Sequence, residues 1–123
     1  MKFLIATVLV LAFCGFTSAQ QSGDYTPIQW DANNQTLVSL LNFGVQSAVP
    51  QAIAAKQLAD ENWGYTDVIS VEVQMIVDDG TFFDFVVDIV DDSGDTARMD
   101  VIVFGITPDY SAMSLDNWSI IQA

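Results

Sequence analysis

Histidine is absent from this 123-residue chain, cysteine occurs once, and three lysine or arginine residues stand against sixteen aspartates and glutamates. The one cysteine, Cys14, lies inside an apolar leader, so the remainder of the chain has no thiol. Beyond that leader, Cys/His nucleophile pairs, histidine general bases and Cys/His zinc sites are excluded. Disulfides are excluded too, so packing must supply the stability. A net charge of −13 repels nucleic acid and anionic lipid, because both are bound by cationic neutralisation of phosphate. No nucleic-acid partner and no membrane partner is expected. Chains this acidic are often disordered. Here the acids are spaced through regular strings of Val, Ile, Leu and Phe, which points to a folded domain.

Met1-Lys2 is followed by an apolar run from Phe3 to Phe16 and by the small residues Thr17-Ser18-Ala19. That order reads as a secretory signal peptide, residues 1–19, with cleavage after Ala19. A membrane anchor needs about 20 apolar residues, so the run is short for one. The expected product is one secreted, extracellular domain, residues 20–123, in which only Lys56 and Arg98 oppose the acids. Asn34-Gln35-Thr36 and Asn117-Trp118-Ser119 are N-glycosylation triplets, which makes Asn34 and Asn117 candidate glycan sites.

Residues 20–32 are polar, with Gly23 and Pro27, and read as an extended arm. From Asn34 onward Leu37, Leu40, Leu41, Gly44, Val45 and Ala48 recur at helical spacing, with Asn33 or Asn34 as cap and Pro50 as the expected end. Residues 51–67 read as an irregular connection with a helical turn near Ala52 to Leu58. Then the period becomes two. Ile69, Val71, Val73, Met75 and Val77 form one run, Thr81 to Ile89 a second, and Met99 to Ile106 a third. Short turns containing Asp and Gly join them. The fold class predicted is α+β: an antiparallel meander whose apolar face wraps one amphipathic helix.

The segment VDDGTFF, residues 77–83, carries the first hairpin tip, Asp78-Asp79-Gly80. As residue chemistry it is an ordinary turn, since Asp favours turns and Gly tolerates positive φ. The meander adds a consequence: the third strand returns, so the turn Thr107-Pro108-Asp109-Tyr110 falls beside that tip. Asp91-Asp92-Ser93-Gly94-Asp95 closes the opposite end, about 33 Å away for ten strand residues. Its oxygen-rich composition suggests calcium, but the twelve-residue spacing and bidentate Glu of a calcium loop are missing. Asp84 and Asp88 share one strand face and suggest an acid/base pair, yet nothing marks a cleft or a substrate-holding group. An enzyme is not expected, nor is a cofactor or metal.

Four segments in order resemble the cystatins, secreted or cytosolic inhibitors of papain-like cysteine proteases. SGDYTPIQWD is similar to the amino-terminal Gly-Gly-x-Ser-Pro-Ile segment of disulfide-free invertebrate and plant members. LVSLLNFGVQ resembles their helix signature Leu-x-x-Phe-Ala-Val. VISVEVQMIVDDGTFFDFVVDI resembles the strand–loop–strand carrying Gln-x-Val-x-Gly. VIVFGITPDYSAMSLDNW resembles the last strands, with Leu115 and Trp118 seven and ten residues after Pro108. The resemblance implies a monomer whose arm and two hairpin loops plug a protease cleft reversibly. The binding residues it implies are Gly23 in the arm, Ile76, Val77, Asp78, Asp79 and Gly80 in the first loop, and Pro108, Asp109 and Tyr110 in the second.

This chain departs from the family at both loops. Aligned on Gly80, Ile76 stands where the family has Gln, and Asp78 and Asp79 replace apolar or small residues. Aligned on Gln74, the loop is two residues longer. Asp109 occupies the place of the family's Trp after Pro108, with Tyr110 one step late. Desolvating two carboxylates in a cleft costs several kcal/mol unless cations or amides receive them, and about 3 kcal/mol is roughly a hundredfold in affinity. The alternative expectation is a cystatin-fold protein without inhibitory activity that binds another extracellular partner through its acidic surface.

Overall fold

The computed structural model describes residues 25–76, 79–106 and 110–121. The expected leader 1–19, and Gly23, Val77, Asp78, Pro108 and Asp109, lie outside the described residues. Six elements follow in chain order: β1 (Thr26–Ile28), α1 (Gln35–Ala54), β2 (Trp63–Ile76), β3 (Gly80–Asp91), β4 (Thr96–Ile106) and β5 (Met113–Ile120). The strands form one sheet in the order β1-β2-β3-β4-β5, every neighbouring pair antiparallel. This is an α+β arrangement of one helix and one five-stranded antiparallel sheet.

α1 begins at Asn34, whose Oδ1 accepts hydrogen bonds from the amides of Thr36 (3.1 Å) and Leu37 (3.2 Å). Those are two of the four amides that a helix start leaves without intrahelical partners. Asn34→Ala is expected to cost about 1 kcal/mol, read as a lowered urea midpoint. Leu37, Leu40, Leu41, Gly44, Val45, Ala48, Val49 and Ala52 form the buried stripe. By length and composition α1 is apolar enough to cross a membrane; in this fold its stripe packs on the sheet.

The expected helix end at Pro50 is corrected: the helix continues to Ala54. Proline removes one hydrogen bond within a helix. Pro50 and Gln46, whose carbonyl loses that partner, are both exposed, while buried Ala52 carries the stripe on past them. The stop comes instead at Lys56, whose φ of +63° turns the chain back. The Gln57 amide then donates to the Ala52 carbonyl at 2.9 Å, and Leu58 is buried beside it.

β2 begins at Trp63, earlier than the expected Ile69, and its side chains do not alternate throughout. The register shifts between Tyr65 and Asp67 and again between Val68 and Ser70. Each extra residue reverses which face the next side chains meet. Val68 therefore packs on the core, whereas Ile69 is 46% exposed. Downstream of the bulges the expected alternation holds through Val71 and Val73. In β3 and β4 it holds from end to end, with Phe83, Phe85, Val87, Ile89, Met99, Val101 and Val103 all buried in one core together with the stripe of α1. The three phenylalanines divide. Phe83 and Phe85 stack in the core with centroids 6.3 Å apart, while Phe82 lies on the other face against Phe104 at 4.7 Å.

Candidate functional site

One end of the sheet gathers three parts of the chain. β1 runs antiparallel to β2 with Thr26 opposite Val73 and Ile28 opposite Val71, so the chain enters β1 from the Met75–Ile76 end. The β2–β3 turn closes at that same end, where the Asp79 amide donates to the Ile76 carbonyl at 3.1 Å. Gly80 pairs with Ile106, which sets the β4–β5 turn alongside. The adjacency of the two tips expected from strand spacing is therefore present. Helix α1 also starts here.

Beside the two turns, β3 and β4 approach closely through glycine. A Cβ on Gly80 would collide with the carbonyl oxygen of Gly105 and sit 2.8 Å from Phe104 Cζ. A Cβ on Gly105 would sit 2.9 Å from Tyr110 Cδ1. Tyr110 has a φ of +58° and donates its amide to the Ile106 carbonyl at 3.0 Å, which tucks its ring inward. Its hydroxyl lies 2.9 Å from Thr81 Oγ1, and its ring meets Phe83 edge-on at 5.3 Å. Of the expected binding residues that are described, Tyr110 is thus largely committed to packing. Asp79 is exposed at the tip, and Ile76 is half-buried.

Beneath the tip lies an open groove of about 490 Å³ between Ile28, Leu37, Val73, Met75, Phe83 and Tyr110. Ile28 (37% exposed), Met75 (58%) and Ile106 (47%) leave large apolar side chains in water at this end. Ile28 and Met75 line the groove, whereas Ile106 lies on the other face at the same end; contiguous apolar exposure such as that of the groove marks contact surfaces. The sequence reading missed Ile28, Met75 and Ile106 as surface residues, because alternation alone places Met75 on the core face. Both cations among the described residues are remote: Lys56 follows the far end of α1, and Arg98 sits near the base of β4. Among the described residues, no cation lies at this end to offset Asp79.

The opposite end is a hairpin turn organised by Asp91. Its Oδ1 accepts from the Ser93 amide (2.9 Å), the Ser93 hydroxyl (2.8 Å) and the Asp95 amide (2.9 Å). Burial pushes the Asp91 carboxyl up, but these hydrogen bonds outweigh it and hold the group below its usual range. Gly94 turns the chain at a φ of +94°. Among the described residues, no group of three acidic side chains is arranged to hold a metal ion.

The sheet face away from α1 carries an unforeseen feature. Glu72, Asp84, Asp100 and Asp116 come from β2, β3, β4 and β5, with Tyr25 just ahead of β1. Tyr25 is pushed well up by burial, then by the charges of Asp84, Asp116, Asp100 and Glu72. Burial also raises Asp116. Asp84 and Asp88 do not act together: four residues of strand separate them by roughly 13 Å. Asp88 instead receives Arg98 through two hydrogen bonds, 2.8 and 3.2 Å, which hold its carboxyl low. Asn34 and Asn117 are both exposed; Asn34 serves as the helix cap, and Asn117 Oδ1 accepts the Trp118 amide at 2.9 Å.

No family model, no curated protein and no solved structure matches this chain.

Proposed function

We propose that residues 20–123, released from a signal peptide, form a secreted cystatin-like domain that inhibits papain-like cysteine proteases by reversible plugging of the cleft. The observation that carries this reading is the meeting, at one sheet end, of the entry to β1, the β2–β3 turn and the β4–β5 turn. Three separate segments on one rigid edge can enter a narrow cleft without presenting a bond for cleavage. The helix between β1 and β2, packed on a five-stranded antiparallel sheet in sequential order, agrees with the cystatin-like arrangement. Exposed Ile28, Met75 and Ile106 supply apolar area for contact.

The test is titration of purified residues 20–123 against papain and a cathepsin L-type enzyme with a fluorogenic substrate. Inhibition at nanomolar concentration is expected. Asp79→Ala should tighten it, since no cation among the described residues lies near Asp79. A folded sample without effect at tens of micromolar overturns the proposal.

The exposed Asp79 and the inward-packed Tyr110 favour a second reading, a domain of the same fold that binds another extracellular partner through its acidic surface. Such binding is charge-steered and weakens steeply as salt rises. Binding unaffected by salt would exclude it.

A further inference from the structure

Asp84 and Asp100 stand diagonally on neighbouring strands, since Asp84 pairs with Ile102 and Asp100 with Val86. Each has its Oδ1 fully buried, and no protein group donates to either of these oxygens. Two carboxylates have only acceptors, so a direct hydrogen bond between them requires a proton on one. Like charges on diagonal strand neighbours, partly buried as these are, do not both ionise readily. We propose that Asp84 and Asp100 share one proton and thereby act as a pH-sensitive latch on the β3–β4 hairpin. The latch is closed while the proton is held and loosened when it leaves to solvent.

The surroundings reinforce this from every strand. Tyr25, Glu72 and Asp116 face the pair, and none of them brings a positive charge at neutral pH. Arg98 is two residues from Asp100 on the same face, but its guanidinium is taken by Asp88. Burial raises the Asp84 carboxyl from 3.8 to about 8, followed by the hydrogen bond to Asp100 and the charges of Asp100 and Glu72. The unfolded chain releases this proton near pH 4 and the folded chain near pH 8. The folded state therefore binds the extra proton between those values, and stability falls as pH rises through that window. Asp88 and Asp91 act in the opposite sense. Their lowered carboxyls give stability at neutral pH that is lost in acid.

The absence of histidine makes the effect legible. Ordinary aspartates and glutamates are ionised by about pH 6, and lysines and tyrosines titrate near 10. With no histidine in the chain and its single cysteine in the expected leader, few groups besides this pair change charge between pH 6 and 9.

The experiment uses protein recovered from expression of the full chain, melted at constant ionic strength from pH 5 to 9. The melting temperature is expected to fall by roughly 5 °C between pH 6 and 9: proton linkage alone allows about 2 units in log equilibrium constant over that range, and solvent screening of the partly exposed Asp84 about halves it. Asp84→Asn, which supplies a permanent donor to Asp100, should flatten that slope, and Asp88→Asn should leave it unchanged. A flat wild-type profile, or an Asp84→Asn slope equal to wild type, overturns the proposal. So does an Asp88→Asn profile as flat as that of Asp84→Asn. Should Asp84→Asn fail to fold, the carboxyl ¹³C shift of Asp84 in the wild-type protein decides. A midpoint well above pH 6 supports the shared proton, and one near pH 4 refutes it.

Discussion

Gly44→Ala lowers the stability of the domain by about 2 kcal/mol, although a glycine-to-alanine change within a helix ordinarily gains up to about 1 kcal/mol. The reversal comes from where α1 crosses the sheet. A Cβ at position 44 would stand 2.6 Å from Val101 Cγ1 and 2.7 Å from Val103 Cγ2. Both valines are completely buried, and β-branched side chains have little rotamer freedom with which to retreat. The helix must lift from β4, which loosens Leu40, Leu41 and Ala48 on either side. Gly64→Ala is the control, because a Cβ there meets nothing within 4 Å. Urea denaturation should show a large fall in midpoint for the first variant and almost none for the second. Adding Val101→Ala to Gly44→Ala should recover part of the loss, a coupling of the sign expected when two residues contest one space. A Gly44→Ala protein as stable as wild type would mean that the helix does not approach this closely. Without disulfides the domain has a stability of about 5–15 kcal/mol to draw on, so Gly44→Leu is expected to leave it unfolded.

Gly80→Ala separates the tip from the body of the sheet. The added Cβ would collide with a backbone oxygen, that of Gly105, and with Phe104 Cζ at 2.8 Å. The phenylalanine can move aside, but the carbonyl cannot without breaking the pairing of Gly80 with Ile106. The expected result is local: amide protection lost at residues 79–82 and 104–106 and retained from Val87 to Met99, as in sub-global opening. Under the proposed function, inhibition weakens tenfold or more while most of the melting temperature is kept. Asp79→Ala changes affinity in the opposite direction one residue away. A Gly80→Ala protein with full protection and full inhibition would show that the close approach of Gly80 to Gly105 is dispensable. Phe104→Leu should not rescue the variant, because the obstacle is backbone.

The outcomes at these two glycines illustrate how unevenly the fold is legible. Gly44 belongs to a helical stripe visible in the sequence, but that it lies against Val101 and Val103 depends on the crossing position. Gly80 reads as a turn residue. Its contact with Gly105 requires knowing that β3 and β4 pair as far as Ile106. Tyr110 reads as part of an exposed loop, and a backbone φ of +58° instead folds its ring onto Phe83.

By itself the amino-acid sequence determined the helix start at Asn34, the apolar faces of β3 and β4, the two Asp/Gly turns and the shared end of the hairpin tips. Each depends on local chemistry or on strand length, and period-two alternation is a property of a strand before it has a partner. The tertiary structure alone decided the continuation of α1 past Pro50, the outward turn of Ile69, the inward packing of Tyr110 and the meeting of Asp84 with Asp100. Bulges reset which face a side chain meets, and diagonal neighbours are set by register rather than by sequence separation. Whether an aspartate is a solvated charge or half of a shared proton depends on burial and on the group beside it, and both come into being only when the strands pair.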